Sequence, residues 1–276
     1  MHKKIRIIAL DLDGTLLNSK KELTPENRAA LEKAAEAGIE IVPTTGRFYN
    51  GMPQFIRDLP FLHYAITING AEVYDIRRDT VVYKAELPLQ QAIEIMNFLE
   101  DYPLLYDCYL GGGGWISQRH KDMVDDTIRS PHYRHMLHTL RKPVPELRDF
   151  IAELGQDIQK IQFFTKDEDL RLRLMDELPQ RFENLSVSSS VDQNCEINTL
   201  KANKGEALMA LADYLGVDRE ATMSFGDGLN DLSMLKAAGV GVAMANACPE
   251  AKEAADDITL SCEESGVAKG IEKYCF

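Results

Sequence analysis

The first apolar run of the chain, IRIIAL, ends directly in two aspartates, Asp11 and Asp13, with a glycine and a threonine behind them. The run is rich in β-branched residues and shows no alternation of apolar and polar positions, which is typical of a strand covered on both faces in a parallel sheet. Residues two apart in a strand point the same way, so both carboxylates can converge just beyond its carboxyl end. Because like charges repel, a cation, a shared proton or a basic side chain must offset them.

Alternating strands and helices at both ends of the chain predict the fold class. A helix begins at Thr24-Pro25, with threonine as N-cap, and stops at Gly38. The strands IEIVPT and YAITIN follow, and after about residue 200 the alternation returns with ANKGEALMALADYLG, ATMSFG, NDLSMLKAAG and VGVAM. We predict an α/β fold: a doubly wound, Rossmann-like parallel-sheet core, residues 1–85 and 195–276, interrupted by an inserted α+β domain, residues 86–194.

Charge and cysteine content limit the partners and the compartment. The 276 residues carry a formal net charge of −13, whereas nucleic acids and anionic membranes bind basic surfaces, so we expect neither as a partner. The five cysteines form no CxxC pair, and the apolar stretch before Asp11 is too short for a secretion signal. These features favour reduced thiols and a cytoplasmic location. The sequence does not indicate an oligomeric state.

Polar groups also follow other predicted strands of the core. Thr45, Gly46 and Arg47 follow the strand IVPT, Lys204 opens a helix, and the loop GDGLND, residues 226–231, follows ATMSF. In open α/β sheets the carboxyl ends of the strands form the ligand-binding edge. We therefore expect these groups to lie at the same edge as the two aspartates.

Four carboxylates in these motifs form a candidate metal site. Asp227 lies in the loop after its strand and Asp231 one helical turn later, so both can face one point. Together with Asp11 and Asp13 they make an oxygen-rich cluster without thiols or imidazoles. That ligand chemistry suits Mg²⁺ rather than zinc or copper.

The four motifs, in this order, resemble those of the haloacid dehalogenase-like superfamily and, more narrowly, its Cof-type phosphatases. The matching stretches are DLDGT (11–15), TTGR (44–47), Lys204 within NKGEAL and GDGLND (226–231), with lesser similarity at ITINGA (66–71) and SGVAKGIEKY (265–274). In this family a sheet-bearing cap is inserted between the second and third motifs, where residues 86–194 lie. The resemblance implies a phosphatase whose cap closes over a small phosphorylated metabolite and supplies most of the specificity.

The resemblance also implies the chemical steps. Asp11 would be the nucleophile that forms an aspartyl-phosphate, and Asp13 would protonate the leaving alkoxide and later take a proton from water. Mg²⁺ is the implied cofactor, held by the Asp11 side chain, the Asp13 main-chain oxygen and Asp227. Asp231 would act through water or on Lys204.

Further positions are assigned to the phosphate and the substrate by the same resemblance. The phosphoryl oxygens would be held by the Thr45 hydroxyl, the Lys204 ammonium and backbone N–H groups near Leu12 and Gly46. Contacts with the phosphate or the rest of the substrate are expected from Arg47 and Asn69, and Asn230 is expected to orient the Asp11 carboxylate or the bound phosphoryl group. Asn69-Gly70 is also typical of a hairpin turn, so for Asn69 both interpretations stay open.

Two other functions remain compatible with these residues. A phosphomutase similar to the phosphomannomutases would need a cationic cap site for a second phosphate, and the basic stretch 129–142 is the candidate, with Arg129, Arg134, Arg141 and Lys142. A non-catalytic phospho-sensor would keep a phosphate on Asp11. For a phosphatase, the substrate is open among sugar phosphates, pyridoxal phosphate, flavin mononucleotide and nucleotides.

Overall fold

The computed structural model describes residues 4–189 and 193–276, except for the side chain of His132. Contacts divide the chain into two compact units, one made of the residues up to Lys84 and from Asn203 onward, the other of Ala85–Ala202. The strands are β1 (Ile7–Leu10), β2 (Glu40–Pro43), β3 (Tyr64–Thr67), β4 (Glu72–Asp75), β5 (Thr80–Lys84), β6 (Leu105–Leu110), β7 (Gly113–Ser117), β8 (Arg141–Val144), β9 (Lys160–Phe164), β10 (Leu185–Ser188), β11 (Asn194–Thr199), β12 (Thr222–Gly226), β13 (Val240–Ala243) and β14 (Asp257–Ile258). The helices are α1 (Pro25–Glu36), α2 (Gln54–Arg57), α3 (Leu89–Leu99), α4 (Gln118–Asp122), α5 (Val124–Thr127), α6 (Pro131–Leu140), α7 (Leu147–Leu154), α8 (Glu168–Arg181), α9 (Lys204–Leu215), α10 (Leu232–Ala237), α11 (Pro249–Ala254) and α12 (Gly266–Cys275). Among the described residues, no helix combines the length and the apolar character that a membrane span requires.

The first unit contains a parallel sheet with the strand order β14-β13-β12-β1-β2. Strand β1 lies between β12 and β2, and both of its faces are covered. Ile8 and Leu10 pack in a core with residues of α1 and α12, whereas Ile7 and Ala9 pack in a second core with residues of α9. The absence of alternation in IRIIAL follows from this double cover, and the doubly wound core is confirmed.

Two helix starts confirm the capping pattern of the sequence. The Thr24 side chain accepts a hydrogen bond from the Asn27 backbone N–H, and Pro25 is the first residue of α1. Asn203 caps α9 by accepting from the Glu206 N–H at 2.9 Å. Lys204 is therefore the first residue of α9, and the cap fixes the point from which its side chain leaves the helix.

A small antiparallel sheet, β3-β4-β5, continues the first unit. The Asn69-Gly70 turn lies in the hairpin between β3 and β4, but the loop spans the four residues 68–71 instead of the two of a tight turn. Asn69 and Gly70 both have positive φ, 56° and 94°. A Cβ at Gly70 would lie 2.2 Å from the Asn203 carbonyl oxygen, so glycine is needed where this loop passes the start of α9.

The inserted unit contains a six-stranded sheet with the order β10-β11-β9-β6-β7-β8. Its pairs are antiparallel apart from the parallel pair β7–β8. Strand β11 pairs with β9 and β10, so residues 195–202 belong with this unit and not with the core, where we had placed them. The boundary was set too early because NCEINT directly precedes the core helix α9 and its antiparallel partners lie far away in the sequence.

The two faces of this sheet differ in chemistry. One face is apolar, with Tyr106, Phe163 and Ile197 packed in a core that includes residues of α3, α7 and α8. The opposite face buries charged pairs: Arg141 Nε lies 3.0 Å from Asp107 Oδ2, and a lysine and a glutamate form a second pair nearby. Because buried ions lose their hydration, such pairs persist only with matched partners.

The four-glycine run Gly111–Gly114 forms the turn between β6 and β7 and leaves space for the Arg141 side chain. Gly111 and Gly112, with φ of 59° and 69°, make the turn between β6 and β7. A Cβ at Gly114 would lie 2.4 Å from Cδ of Arg141. The missing side chain therefore lets the Arg141 stem lie flat against the neighbouring strand.

A buried histidine makes the stability of the inserted unit depend on pH. His120 in α4 is 2% exposed, and its ring contacts the Tyr106 carbonyl oxygen at 3.1 Å. Burial, followed by the positive charge of Arg119, lowers the pKa of His120 from 6.5 to about 4. The ring is thus neutral in the folded protein, whereas the unfolded chain takes up a proton below pH 6.5. The stability that neutral His120 contributes is therefore fully present above pH 6.5 and is lost as the pH falls toward 4.

We predict that the wild type loses about 2 kcal/mol more unfolding free energy than His120→Gln when the pH is lowered from 7.5 to 5. Urea unfolding followed by the fluorescence of Trp115, the only tryptophan of the chain, reports on this unit because Trp115 lies in β7. Carboxylates that titrate over this range are common to both proteins and cancel in the difference. Equal losses in the two proteins would show that His120 is not buried as a neutral ring.

Candidate active site

Two neighbouring parallel strands bring the aspartates together. Asp11 directly follows β1 and Asp227 directly follows β12, and the Asp11 N–H donates to the Phe225 carbonyl at 3.0 Å. Because parallel strands end at the same edge of a sheet, the two side chains meet there. Carboxylate oxygens of Asp11, Asp227 and Asp231 lie within 4.8 Å of one another.

Lys204 holds two of these carboxylates. Its Nζ lies 2.5 Å from Asp11 Oδ1 and 2.6 Å from Asp231 Oδ1, and its side chain is fully buried. Burial acts to lower the pKa of Lys204, but the two carboxylates outweigh it and hold the pKa above its ordinary value. A cation at a helix N-terminus is disfavoured by the helix dipole, so these ion pairs account for its position.

Asp231 organises the loop after β12. Its Oδ2 accepts hydrogen bonds from the backbone N–H groups of Asp227 and Gly228, both at 2.9 Å, while its Oδ1 contacts Lys204. A Cβ at Gly226 would lie 2.4 Å from the Asp231 Cβ, so the side chain lies directly against the end of the strand. Of the two arrangements expected for Asp231, the structure shows direct contact with Lys204.

The remaining carboxylates of the cluster carry raised pKa values. Burial raises the pKa of Asp11 to about 8; the Lys204 charge opposes this, and the Asp231 and Asp227 charges add to it. Burial likewise raises the pKa of Asp227 to about 6, although the Thr15 hydroxyl donates to its Oδ1 at 2.7 Å. For both carboxyl groups, the nearby positive charge of Lys204 does not outweigh burial and the neighbouring carboxylates. An oxygen-only set with this deficit of positive charge fits a hard divalent cation such as Mg²⁺.

Asp13 has different neighbours. Arg47 Nη2 lies 3.0 Å from its Oδ2, and Lys21 Nζ lies 2.9 Å from its Oδ1. Burial acts to raise the pKa of Asp13, but Arg47 and Lys21 together hold it below its ordinary value. Its side chain is 32% exposed, in contrast to the buried cluster around Lys204.

The motif after β2 and the hairpin loop lie side by side. The Asn69 N–H donates to the Thr45 carbonyl at 3.0 Å, and the Thr45 hydroxyl accepts from the Arg47 N–H at 3.2 Å. Asn230 Nδ2 donates to Asn69 Oδ1 at 3.3 Å. A Cβ at Gly46 would lie 2.8 Å from the same Asn69 oxygen. Asn69 is thus part of the hairpin loop and also in contact with the predicted site residues.

The predicted residues differ in what they can present. The Leu12 side chain is fully buried in the apolar core, so Leu12 can contribute only backbone groups. Two contacts were missed from the sequence, the Thr15 hydroxyl on Asp227 and the Lys21 ammonium on Asp13. Thr15 belongs to the DLDGT motif and was within reach of prediction, whereas Lys21 lies in the polar turn SKKE, which carries no recognisable signal.

Comparisons with known proteins agree with this arrangement. A family model described as haloacid dehalogenase-like hydrolase matches residues 8–271. Phosphatase YwpJ of Bacillus subtilis (strain 168) is 34% identical, covering 96% of this chain and 98% of that protein. The 5-amino-6-(5-phospho-D-ribitylamino)uracil phosphatase YcsE of the same organism is 32% identical over 98% of this chain and 96% of its own. The solved structure of a haloacid dehalogenase-like hydrolase from B. subtilis has a TM-score of 0.83 and 30% identity, covering 97% of this chain and 99% of that one. The chain belongs to the haloacid dehalogenase-like hydrolases, the family that its four motifs indicate.

Proposed function

We propose that the protein is a Mg²⁺-dependent phosphatase that hydrolyses the phosphomonoester of a small phosphorylated metabolite through an aspartyl-phosphate on Asp11. The observation that carries this proposal is the Asp11 carboxylate, held by Lys204 at 2.5 Å and grouped with Asp227 at the carboxyl edge of the sheet. Relatives named as phosphatases, one of them acting on a phosphorylated ribitylaminouracil, support the same reaction and a small substrate.

The charges of the site support a need for a divalent cation. Four carboxylates, of Asp11, Asp13, Asp227 and Asp231, face three cations, of Lys204, Arg47 and Lys21. Their formal sum is −1, which would repel a phosphate dianion. A bound Mg²⁺ changes the sum to +1 and supplies the charge neutralisation that phosphoryl transfer requires.

The residues of the site would have separate roles in binding the metal ion and orienting the nucleophile. Mg²⁺ would be held by the Asp11 side chain, the Asp13 main-chain oxygen and Asp227. Asp231 would act indirectly, because both of its oxygens accept hydrogen bonds from Lys204 or the backbone. Lys204 would orient Asp11 through Oδ1 and stabilise the charge that develops on the phosphoryl oxygens.

Hydrolysis would then take two steps. An Asp11 oxygen forms a bond to phosphorus while the bond from phosphorus to the ester oxygen breaks, and Asp13 gives its proton to the leaving alkoxide. In the second step Asp13 takes a proton from water as the water oxygen attacks phosphorus and releases Asp11. The Thr45 hydroxyl and backbone N–H groups near Leu12 and Gly46 would hold the phosphoryl oxygens. Arg47, Asn69 and Asn230 would contact the phosphate or the substrate.

The basic stretch 129–142 gives little support to the phosphomutase alternative. Arg141 is fully buried, with its Nε on Asp107 and its Nη2 on the Tyr109 hydroxyl. The Lys142 ammonium lies 5.1 Å from the centre of the Trp115 ring. Arg141 is thus engaged within the inserted unit, which removes one of the four cations of the stretch from a second phosphate site, whereas Lys142 is exposed.

We predict that Asp11→Asn lowers phosphate release by at least about 10³-fold, because an amide cannot form the aspartyl-phosphate. Release from a panel of phosphorylated metabolites is measured with Mg²⁺ and with EDTA, and wild-type activity is expected only with Mg²⁺. Asp213→Asn, which removes an exposed carboxylate of α9, is the matched control and should keep full activity. Activity that survives in Asp11→Asn would refute Asp11 as the nucleophile, and no release by the wild type would refute the phosphatase.

Two glycines allow a separate test of Asp227. A Cβ at Gly14 would lie 2.5 Å from Asp227 Oδ2, whereas a Cβ at Gly38 would meet no atom of the described residues within 4 Å, and both glycines have positive φ, 96° and 81°. Alanine at either position should cost about 1 kcal/mol of stability through backbone strain. We predict that Gly14→Ala alone also displaces Asp227, lowers kcat/KM by about tenfold or more and raises the Mg²⁺ concentration needed for half-maximal activity.

Urea unfolding measures the strain, and a Mg²⁺ titration of phosphate release measures the site. The same Mg²⁺ requirement in Gly14→Ala and Gly38→Ala would exclude Asp227 from the metal site.

A further inference from the structure

Lys21 contacts Asp13 although it belongs to none of the four sequence motifs. Its Nζ lies 2.9 Å from Asp13 Oδ1, although the residue is separated from Asp13 by a polar turn and is about half exposed. Arg47 binds the same carboxyl group, with Nη2 at 3.0 Å and Nε at 3.3 Å from Oδ2 and with Nη2 also 3.3 Å from Oδ1. Asp13 is therefore gripped at both oxygens, by cations from two different parts of the chain.

The exposed turn that carries Lys21 is closed by several hydrogen bonds. Asn18 Oδ1 accepts hydrogen bonds from the backbone N–H groups of both Lys20 and Glu22, at 3.0 and 2.9 Å. The Lys21 N–H donates to the Asn18 carbonyl at 2.9 Å, and the Asn18 N–H donates to the Glu22 carbonyl at 3.1 Å. Lys21 itself has a φ of 62°, a conformation that L side chains other than asparagine and aspartate rarely adopt. These hydrogen bonds hold the backbone in an arrangement from which the Lys21 side chain reaches Asp13.

We propose that Lys21 is a positioning residue that fixes the orientation of the Asp13 carboxyl group for proton transfer to the leaving group. Because the Lys21 charge also lowers the pKa of Asp13, this role lies in orientation and not in the acidity of the carboxyl group. This inference rests on the proposed phosphatase function. Arg47 binds Oδ2 with two N–H groups, at 3.0 and 3.3 Å, but reaches Oδ1 only with Nη2 at 3.3 Å, so it holds the second oxygen less closely. The ammonium on Oδ1 supplies a second anchor, so that one carboxyl oxygen stays directed at the ester oxygen that must receive the proton.

Leaving groups of different basicity separate this role from a general attraction of anionic substrates. A nitrophenolate leaves without taking up a proton, whereas an alkoxide needs to be protonated as it leaves. Loss of proton transfer therefore slows alkyl phosphates and spares p-nitrophenyl phosphate. Weaker attraction of the phosphate dianion, or partial unfolding, would lower both rates by the same factor. The ratio of the two rates measured on one sample does not depend on the fraction of folded protein.

The experiment compares the wild type with Lys21→Met, Lys21→Arg and, as a matched control, Lys20→Met, which removes the neighbouring exposed lysine of the same turn. The substrates are p-nitrophenyl phosphate and the best alkyl phosphate of the metabolite panel. We expect kcat/KM, which reports the steps up to release of the leaving group and not the later attack of water, to fall roughly tenfold for the alkyl phosphate in Lys21→Met. For p-nitrophenyl phosphate kcat/KM should stay within about twofold. Lys21→Arg should restore most of the difference, and Lys20→Met should match the wild type.

Equal losses on both substrates, no loss on either, or no recovery in Lys21→Arg would each overturn the positioning role while leaving the phosphatase intact. A wild-type protein that hydrolyses neither substrate would instead overturn the proposed function itself. The two failures are therefore distinguished by the wild-type measurement alone.

Discussion

The repulsion among carboxylates at one edge of the central sheet is the constraint on which the site depends. The buried ammonium of Lys204 offsets this repulsion. It lies 2.5 Å from Asp11 and 2.6 Å from Asp231 and is not exposed to solvent. A buried cation between two carboxylates is stable only when its geometry is held, because each ion has lost its hydration. The Asn203 cap of α9, the glycine at position 70 and the backbone hydrogen bonds to Asp231 all serve to hold it. The ion triad of Lys204, Asp11 and Asp231 thus accounts for the close packing of the loops that follow β1 and β12 against the start of α9.

The residues at strand ends could be predicted because a parallel sheet specifies where they go. Asp11 and Asp227 follow adjacent strands, so the strand pattern alone brings them to one edge. Asp231 followed from helical spacing and Lys204 from its place at a helix start. In each case the position follows from where an element begins or ends, which the sequence pattern indicates, whereas the adjacency of β1 and β12 is shown by the structure.

Contacts that depend on irregular backbone or on distant pairing escaped prediction. Lys21 reaches Asp13 only because its turn has a left-handed residue and an asparagine that closes it, and neither feature has a periodic signature. Strand β11 was assigned to the wrong unit because its partners β9 and β10 are recognised by antiparallel pairing, not by order along the chain. Arg141 resembled a surface cation in the sequence, but its partners Asp107 and Tyr109 lie more than thirty residues earlier.

Both units bury charged pairs, yet they do so in places with different consequences. In the inserted unit, the two carboxylates stand in mid-strand: Asp107 and Glu196 both lie opposite Gln162 in the β-ladder, so their spacing follows from strand register. Such groups can move only if the sheet itself shifts. In the first unit, Asp11, Asp227 and Lys204 lie just past strand ends and at a helix start, on backbone that loops connect. Charges in that position lie beyond the ladder hydrogen bonds, at the edge where open α/β sheets bind ligands. The same physical cost, burial of ions, is therefore met within a sheet in one unit and at a ligand-binding edge in the other.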